Sequence, residues 1–146
     1  MNPVGRGTAK DMNDPALHDD RLALRLPVRD ESVRIGRRAA AQFAEEAGCE
    51  AATLWRVRLA VSEALSNVVL HAHPPDEAGQ HHLALLAESD DRAVRMTVSD
   101  EGAGMRARTD SPGMGLGLAL IANACDELAV DAGADGGTVV CMTFLR

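Results

Sequence analysis

Tyrosine is absent from this chain, and Phe43, Phe144 and Trp55 are its only aromatic residues, 2% of 146. The core must therefore be built from Leu, Val, Ala, Ile and Met, and stacking of bases on aromatic platforms is excluded as a main activity. Lysine is almost missing too, with Lys10 alone beside fourteen scattered arginines, and the net charge is -7. Affinity for a polyphosphate backbone needs clustered cations, so direct nucleic-acid binding is not expected, although a local cationic contact to a small phosphate is. Cys49, Cys125 and Cys141 are odd in number and form no CxxC pair, which points to neither a disulfide framework nor a zinc site and fits a reducing cytoplasm. No uncharged apolar run is long enough to span a bilayer, and the first twenty residues lack the apolar stretch of a signal peptide. A soluble protein that does not enter membranes is expected.

What is present suits one compact domain, since 46% of the residues are hydrophobic. Residues 1–20 mix Gly, Pro, Asn and Asp without hydrophobic period and read as a flexible tail, leaving 21–146 as the folded unit. Leu22, Leu24 and Leu26 alternate as on a half-buried strand. The stretch from Asp30 predicts a helix with a stripe of Val33, Ile35, Ala40, Phe43 and Ala44, stopped near Gly48. A second helix is predicted from near Glu50 until Pro74 and Pro75, with Leu54, Val57, Val61, Leu65 and Val68 as its buried face. QHHLALLAES and RAVRMTVSD read as an antiparallel hairpin, LGLALIANACDEL as a short helix, and ELAVDAG with GTVVCMTFLR as a closing strand pair. This order predicts an α+β two-layer sandwich, a mixed and mostly antiparallel sheet packed on helices.

Three motifs carry chemistry. Glu63 and Asn67 stand four residues apart on the second helix, so a carboxylate and a carboxamide share one face. Asn67 offers a neutral oxygen to a hard cation such as Mg2+, and Glu63 can deprotonate a hydroxyl. Asp100-Glu101-Gly102-Ala103-Gly104 follows an apolar strand. Asp100 can accept from an exocyclic amine such as that of adenine, and the glycines let backbone approach a ligand. Gly113-Met114-Gly115-Leu116-Gly117 stands at the mouth of the last helix, where unpaired N–H groups suit phosphate, although no Gly-Lys-Ser/Thr follows as in a P-loop. His71 and His73, like the adjacent His81 and His82, cannot share a face and do not read as a metal site. Met105 and Met114 read as flexible apolar filling.

Ser62 to His71, Asp100 to Gly104 and Gly113 to Leu116 together resemble the three nucleotide boxes of the GHKL ATPases. More narrowly, the chain resembles the bacterial anti-sigma-factor serine/threonine kinases, over nearly everything from Leu22 to Arg146. The resemblance implies a Bergerat-type ATP site with a lid between the second and third boxes. By motif position Asn67 would hold Mg2+, Glu63 would be the catalytic base and Asp100 would bind the adenine amine. Gly102 and Gly104 would shape the adenine pocket, Gly113, Gly115 and Gly117 would border the phosphates, and Thr138 would assist Asp100. Arg106 and Arg108 are the basic residues nearest the third box, which is preceded here by Asp110-Ser111-Pro112.

The resemblance further implies phosphorylation of a serine on an anti-anti-sigma protein of the STAS class, capture of a sigma factor in the alternative partner state, and association of the chain as a homodimer. The alternative reading is a nucleotide-binding regulator that transfers no phosphate. The ATP domain of a sensor histidine kinase fits less well, because Asn67 lacks the following Lys typical there.

Overall fold

The computed structural model describes residues 20–71, 80–101, 114–133 and 136–146. In chain order these form β1 (Arg21–Pro27), α1 (Asp30–Glu46), α2 (Ala51–His71), β2 (His82–Ser89), β3 (Ala93–Asp100), α3 (Met114–Ala124), β4 (Glu127–Ala132) and β5 (Thr138–Leu145). The strands make one sheet in the order β1-β2-β3-β5-β4, and every described pairing is antiparallel. Three helices and one sheet give the expected α+β two-layer sandwich. The first nineteen residues of the expected tail lie outside the described residues.

Period-two alternation sets the sheet's two faces. Register aligns Leu22, Ala87, Met96, Met142 and Leu128 in one row and Leu24, Leu85, Val98, Val140 and Val130 in the next. Met96, Met142, Leu85 and Val98 are each at most 1% exposed, so this is the face under the helices. The next inward row is Leu26, Leu83 and Asp100. A carboxylate thus takes a core-facing position at the end of β3, which aims it at the helical layer.

Helix α2 buries Leu54, Val57, Val61, Leu65 and Val68, the stripe expected from its sequence. Helix α1 differs from expectation at one position, for Ile35 is 47% exposed and Gly36 is buried in its stead. Seating the stripe of Ser32, Gly36, Ala40, Phe43 and Ala44 turns Ile35 away, because neighbours in a helix are about 100° apart. A Cβ at Gly36 would lie 2.5 Å from Leu65 Cδ1, so the glycine lets α1 approach α2 closely. Asp30 and Glu31 favour the N-terminus of α1 through the helix dipole, and Ser32 Oγ donates to the Pro27 carbonyl oxygen at 2.5 Å, tying the helix to β1. Past its other end, Gly48 adopts φ 91°.

Helix α3 begins at Met114 and ends at Ala124, earlier at both ends than its sequence suggests. The Asp126 backbone N–H donates to Thr143 O at 2.8 Å, and that sheet contact halts the helix before Glu127 opens β4. Gly117, Ile121 and Ala124 are its buried stripe.

Candidate active site

Helix α2 carries Glu63 and Asn67 one turn apart, and α3 crosses them at Gly117. A Cβ at Gly117 would lie 3.1 Å from Asn67 Oδ1, 3.3 Å from Asn67 Nδ2 and 3.5 Å from Glu63 Oε2. Both side chains therefore meet the first turn of α3. That turn is glycine because anything larger would press on the amide of Asn67. Three of the residues singled out from sequence are brought together here.

Asn67 is 5% exposed, and its Nδ2 has no hydrogen-bond partner among the described residues. Burying such a group unsatisfied costs about 1–3 kcal/mol, so the arrangement is unfavourable unless something else engages the amide. Glu63 is half-buried beside it. The first turn of α3, which includes Gly115, presents backbone N–H groups that have no partner within the helix. A carboxylate, an orphaned carboxamide and a helix N-terminus together suit a phosphate bound with a hard cation.

Asp100 builds the second part. It is 6% exposed, and its Oδ2 accepts from the Thr138 backbone N–H at 3.1 Å. Antiparallel pairing of Ser99 with Val139 puts Thr138 across from Asp100, so the two strands bring these residues together. The contact uses the main chain of Thr138. Beside it, a Cβ at Gly137 would fall 1.9 Å from the Asp100 carbonyl oxygen, so only glycine fits. Gly137 was not singled out from sequence, for nothing local to it announces a contact with a residue so far away in the chain.

Just beyond Asp100, the Arg25 guanidinium forks onto Glu101, with Nε to Oε1 at 3.2 Å and Nη2 to Oε2 at 3.3 Å. That bond holds the Glu101 carboxyl below the usual carboxylate range. At the other end of α3, Arg56 Nη1 donates to Ala124 O and Asp126 Oδ2, both at 3.3 Å, which fastens the helix to α2. Gly102, Gly104 and Gly113, with Met105, Arg106 and Arg108, lie outside the described residues. Among the described residues no group of three or more His, Cys, Asp or Glu could hold a metal, and no helix is long and apolar enough to cross a membrane.

A family model described as histidine kinase-like ATPase domain matches residues 26–144. The chain is 33% identical to the serine-protein kinase RsbW of Listeria monocytogenes, the match covering 85% of this chain and 86% of that protein. It is 28% identical to the anti-sigma F factor of Geobacillus stearothermophilus, over 82% of this chain and 88% of that one. In fold it is similar to a solved structure of the RsbU and RsbW domains of a Mycobacterium tuberculosis protein, with a TM-score of 0.64 at 23% identity; the match covers 87% of this chain but 33% of that longer one. The chain belongs to the histidine kinase-like ATPase domain family, on its RsbW-type serine-protein kinase branch.

Proposed function

We propose that this protein is an ATP- and Mg2+-dependent serine/threonine protein kinase and anti-sigma factor, acting through residues 21–146 in the cytoplasm and phosphorylating an anti-anti-sigma protein of the STAS class. The observation that carries the site assignment is the convergence of Glu63 and Asn67 on Gly117, with the orphaned amide of Asn67 between them. The names of the relatives, a serine-protein kinase and an anti-sigma factor, support the activity and the two partners.

Asn67, through its carboxamide oxygen, would hold Mg2+, which when bound neutralises phosphate charge. The free N–H groups at the N-terminus of α3, near Gly115, would stabilise the phosphates, which Gly113, Gly115 and Gly117 would border. Asp100, steadied by the Thr138 N–H, would accept from the adenine amine, and by motif position Gly102 and Gly104 would border the ring. Glu63 takes the proton of the target serine as that hydroxyl oxygen bonds to the terminal phosphorus and the bond to the departing ADP oxygen breaks. Positioning and charge neutralisation carry most of such a transfer, and this small site provides both.

The test separates binding from transfer. Glu63→Ala should keep nucleotide affinity within a few-fold while losing at least about 100-fold in phosphorylation, the usual size of a general-base contribution. Asp100→Asn should lose nucleotide binding itself. Labelled ATP and a purified STAS protein supply one readout, and calorimetric titration with a non-hydrolysable ATP analogue the other. Undiminished transfer by Glu63→Ala would remove Glu63 from its role.

A further inference from the structure

Helix α1 borders a groove on the side of the edge strand β1. Leu24 of β1 with Ile35 and Ala39 of α1 forms its apolar lining, and Arg34, Arg38 and Gln42 complete a space of about 600 Å3. Ile35 is exposed there, while Leu24 and Ala39 are only partly buried. Among the described residues neither Arg34 nor Arg38 has an ion-pair partner. Two guanidiniums beside bare hydrocarbon suit an occupant that brings carboxylates and apolar side chains together.

The direction of the chain decides what can reach this groove. Ser32 at the start of α1 bonds to Pro27 at the end of β1, and Leu26 packs at Gly36, so α1 runs back along β1 and the Gln42 end of the groove points toward Asp20. Asp20 is still tied to the sheet edge, its carbonyl oxygen accepting from the Ser89 N–H at 3.0 Å. The residues that precede it therefore start beside the groove. From Asp11 to Asp20 the sequence carries Asp11, Asp14, Asp19 and Asp20 with Met12 and Leu17, and no Lys or Arg. That is the chemistry the groove lacks.

We propose that residues 11–19 of this chain, which lie outside the described residues, fold back along α1 and fill this groove. Leu17 then covers Leu24, Asp14 pairs with Arg38, Met12 covers Ile35 and Asp11 pairs with Arg34. Returning from Asp20, the segment needs about 13 Å to come level with Leu24, four strand residues away, and about 6 Å more to pass from Ala39 to Ile35 on the helix. Nine extended residues span up to about 30 Å, which leaves enough chain for the turn. Pro15 fixes its own φ and biases Asp14 to extended backbone, so ordering this stretch costs less entropy than its length suggests. Because the segment is tethered, its effective concentration is about millimolar, and modest affinity is enough. The inference does not depend on phosphoryl transfer, since Glu63, Asn67 and Asp100 take no part in the contact.

Methyl NMR of the full chain tests it. The sequence has two isoleucines, Ile35 in the groove and the fully buried Ile121, so one methyl reports on the contact and the other on the fold. The wild type should show a nuclear Overhauser cross-peak between the Ile35 δ-methyl and the Met12 ε-methyl, assigned by its loss in Met12→Leu. Arg34→Glu/Arg38→Glu should abolish that cross-peak and leave the Ile121 resonance in place. Adding Asp11→Arg/Asp14→Arg to this double variant should bring it back, since the charges again face their opposites. No cross-peak in the wild type, one that survives charge reversal, or one that fails to return in the combined variant would each overturn the proposal. A cross-peak seen only between differently labelled copies in a mixed sample would give the groove to a second molecule and overturn it as well.

Discussion

Leaving Asn67 Nδ2 buried without a partner among the described residues disfavours the ligand-free fold by about 1–3 kcal/mol, and that cost gives the residue a measurable signature. Leucine has nearly the shape of asparagine and no polar group to orphan. Asn67→Leu is therefore expected to match or exceed the wild type in ligand-free stability, by up to about 1 kcal/mol, while losing nucleotide binding. Urea denaturation of the ligand-free proteins, followed by titration with an ATP analogue, separates the two effects. A variant less stable by about 2 kcal/mol or more would mean that the amide serves the fold, and one that still binds would remove it from the site. The same opposition between fold and ligand does not arise at Asp100, whose carboxylate already accepts from Thr138.

At the scale of elements, close approach of α1 to α2 depends on Gly36. In an exposed helix, Gly→Ala is worth about 1 kcal/mol of added stability. Here the new methyl would lie 2.5 Å from Leu65 Cδ1, and Leu65 is fully buried, so overpacking should dominate and cost about 1–3 kcal/mol net. Urea midpoints should show Gly36→Ala below wild type and partial recovery when Leu65→Val is added; a stabilised single variant would refute the packing argument. The same position explains what was legible in the sequence. Strand ends and the face of α2 could be read because alternation and the three-to-four spacing are local signals. Hydrophobicity speaks for Ile35 in the packed stripe, whereas Gly36 packs by having no side chain, which periodicity does not register. Glu63 and Asn67 could be paired from spacing alone, and Asp100 could be marked as the polar end of an inward-facing run. Their meeting with Gly117, and Gly137 beneath Asp100, required the tertiary pairing of α3 with α2 and of β5 with β3.

For the molecule as a whole, one carboxylate joins three elements. Asp126 Oδ2 accepts from the Leu145 N–H of β5 at 2.7 Å and from Arg56 of α2, and it stands two residues past the end of α3. The backbone donor first, and Arg56 second, hold its pKa below the ordinary carboxylate value. Asp90 is lowered likewise to about 2, by the Arg95 side chain and then by the N–H groups of Arg92 and Ala93. Each group is more acidic folded than unfolded, so on acidification the unfolded chain takes up the proton first. The stability they contribute is complete above the unfolded carboxylate range, near pH 4, and is lost as pH falls from about 5 toward the folded values. Asp126 is partly exposed, and solvent discounts its share, so Asp126→Asn should cost about 1 kcal/mol at pH 7. At pH 3 the wild-type carboxyl is itself being neutralised on unfolding, and the gap between the two proteins should narrow. Urea titrations at both pH values decide the point. An equal gap at pH 7 and pH 3 would mean that the Asp126 side chain acts through shape, with its charge contributing nothing to the junction of α2, α3 and β5.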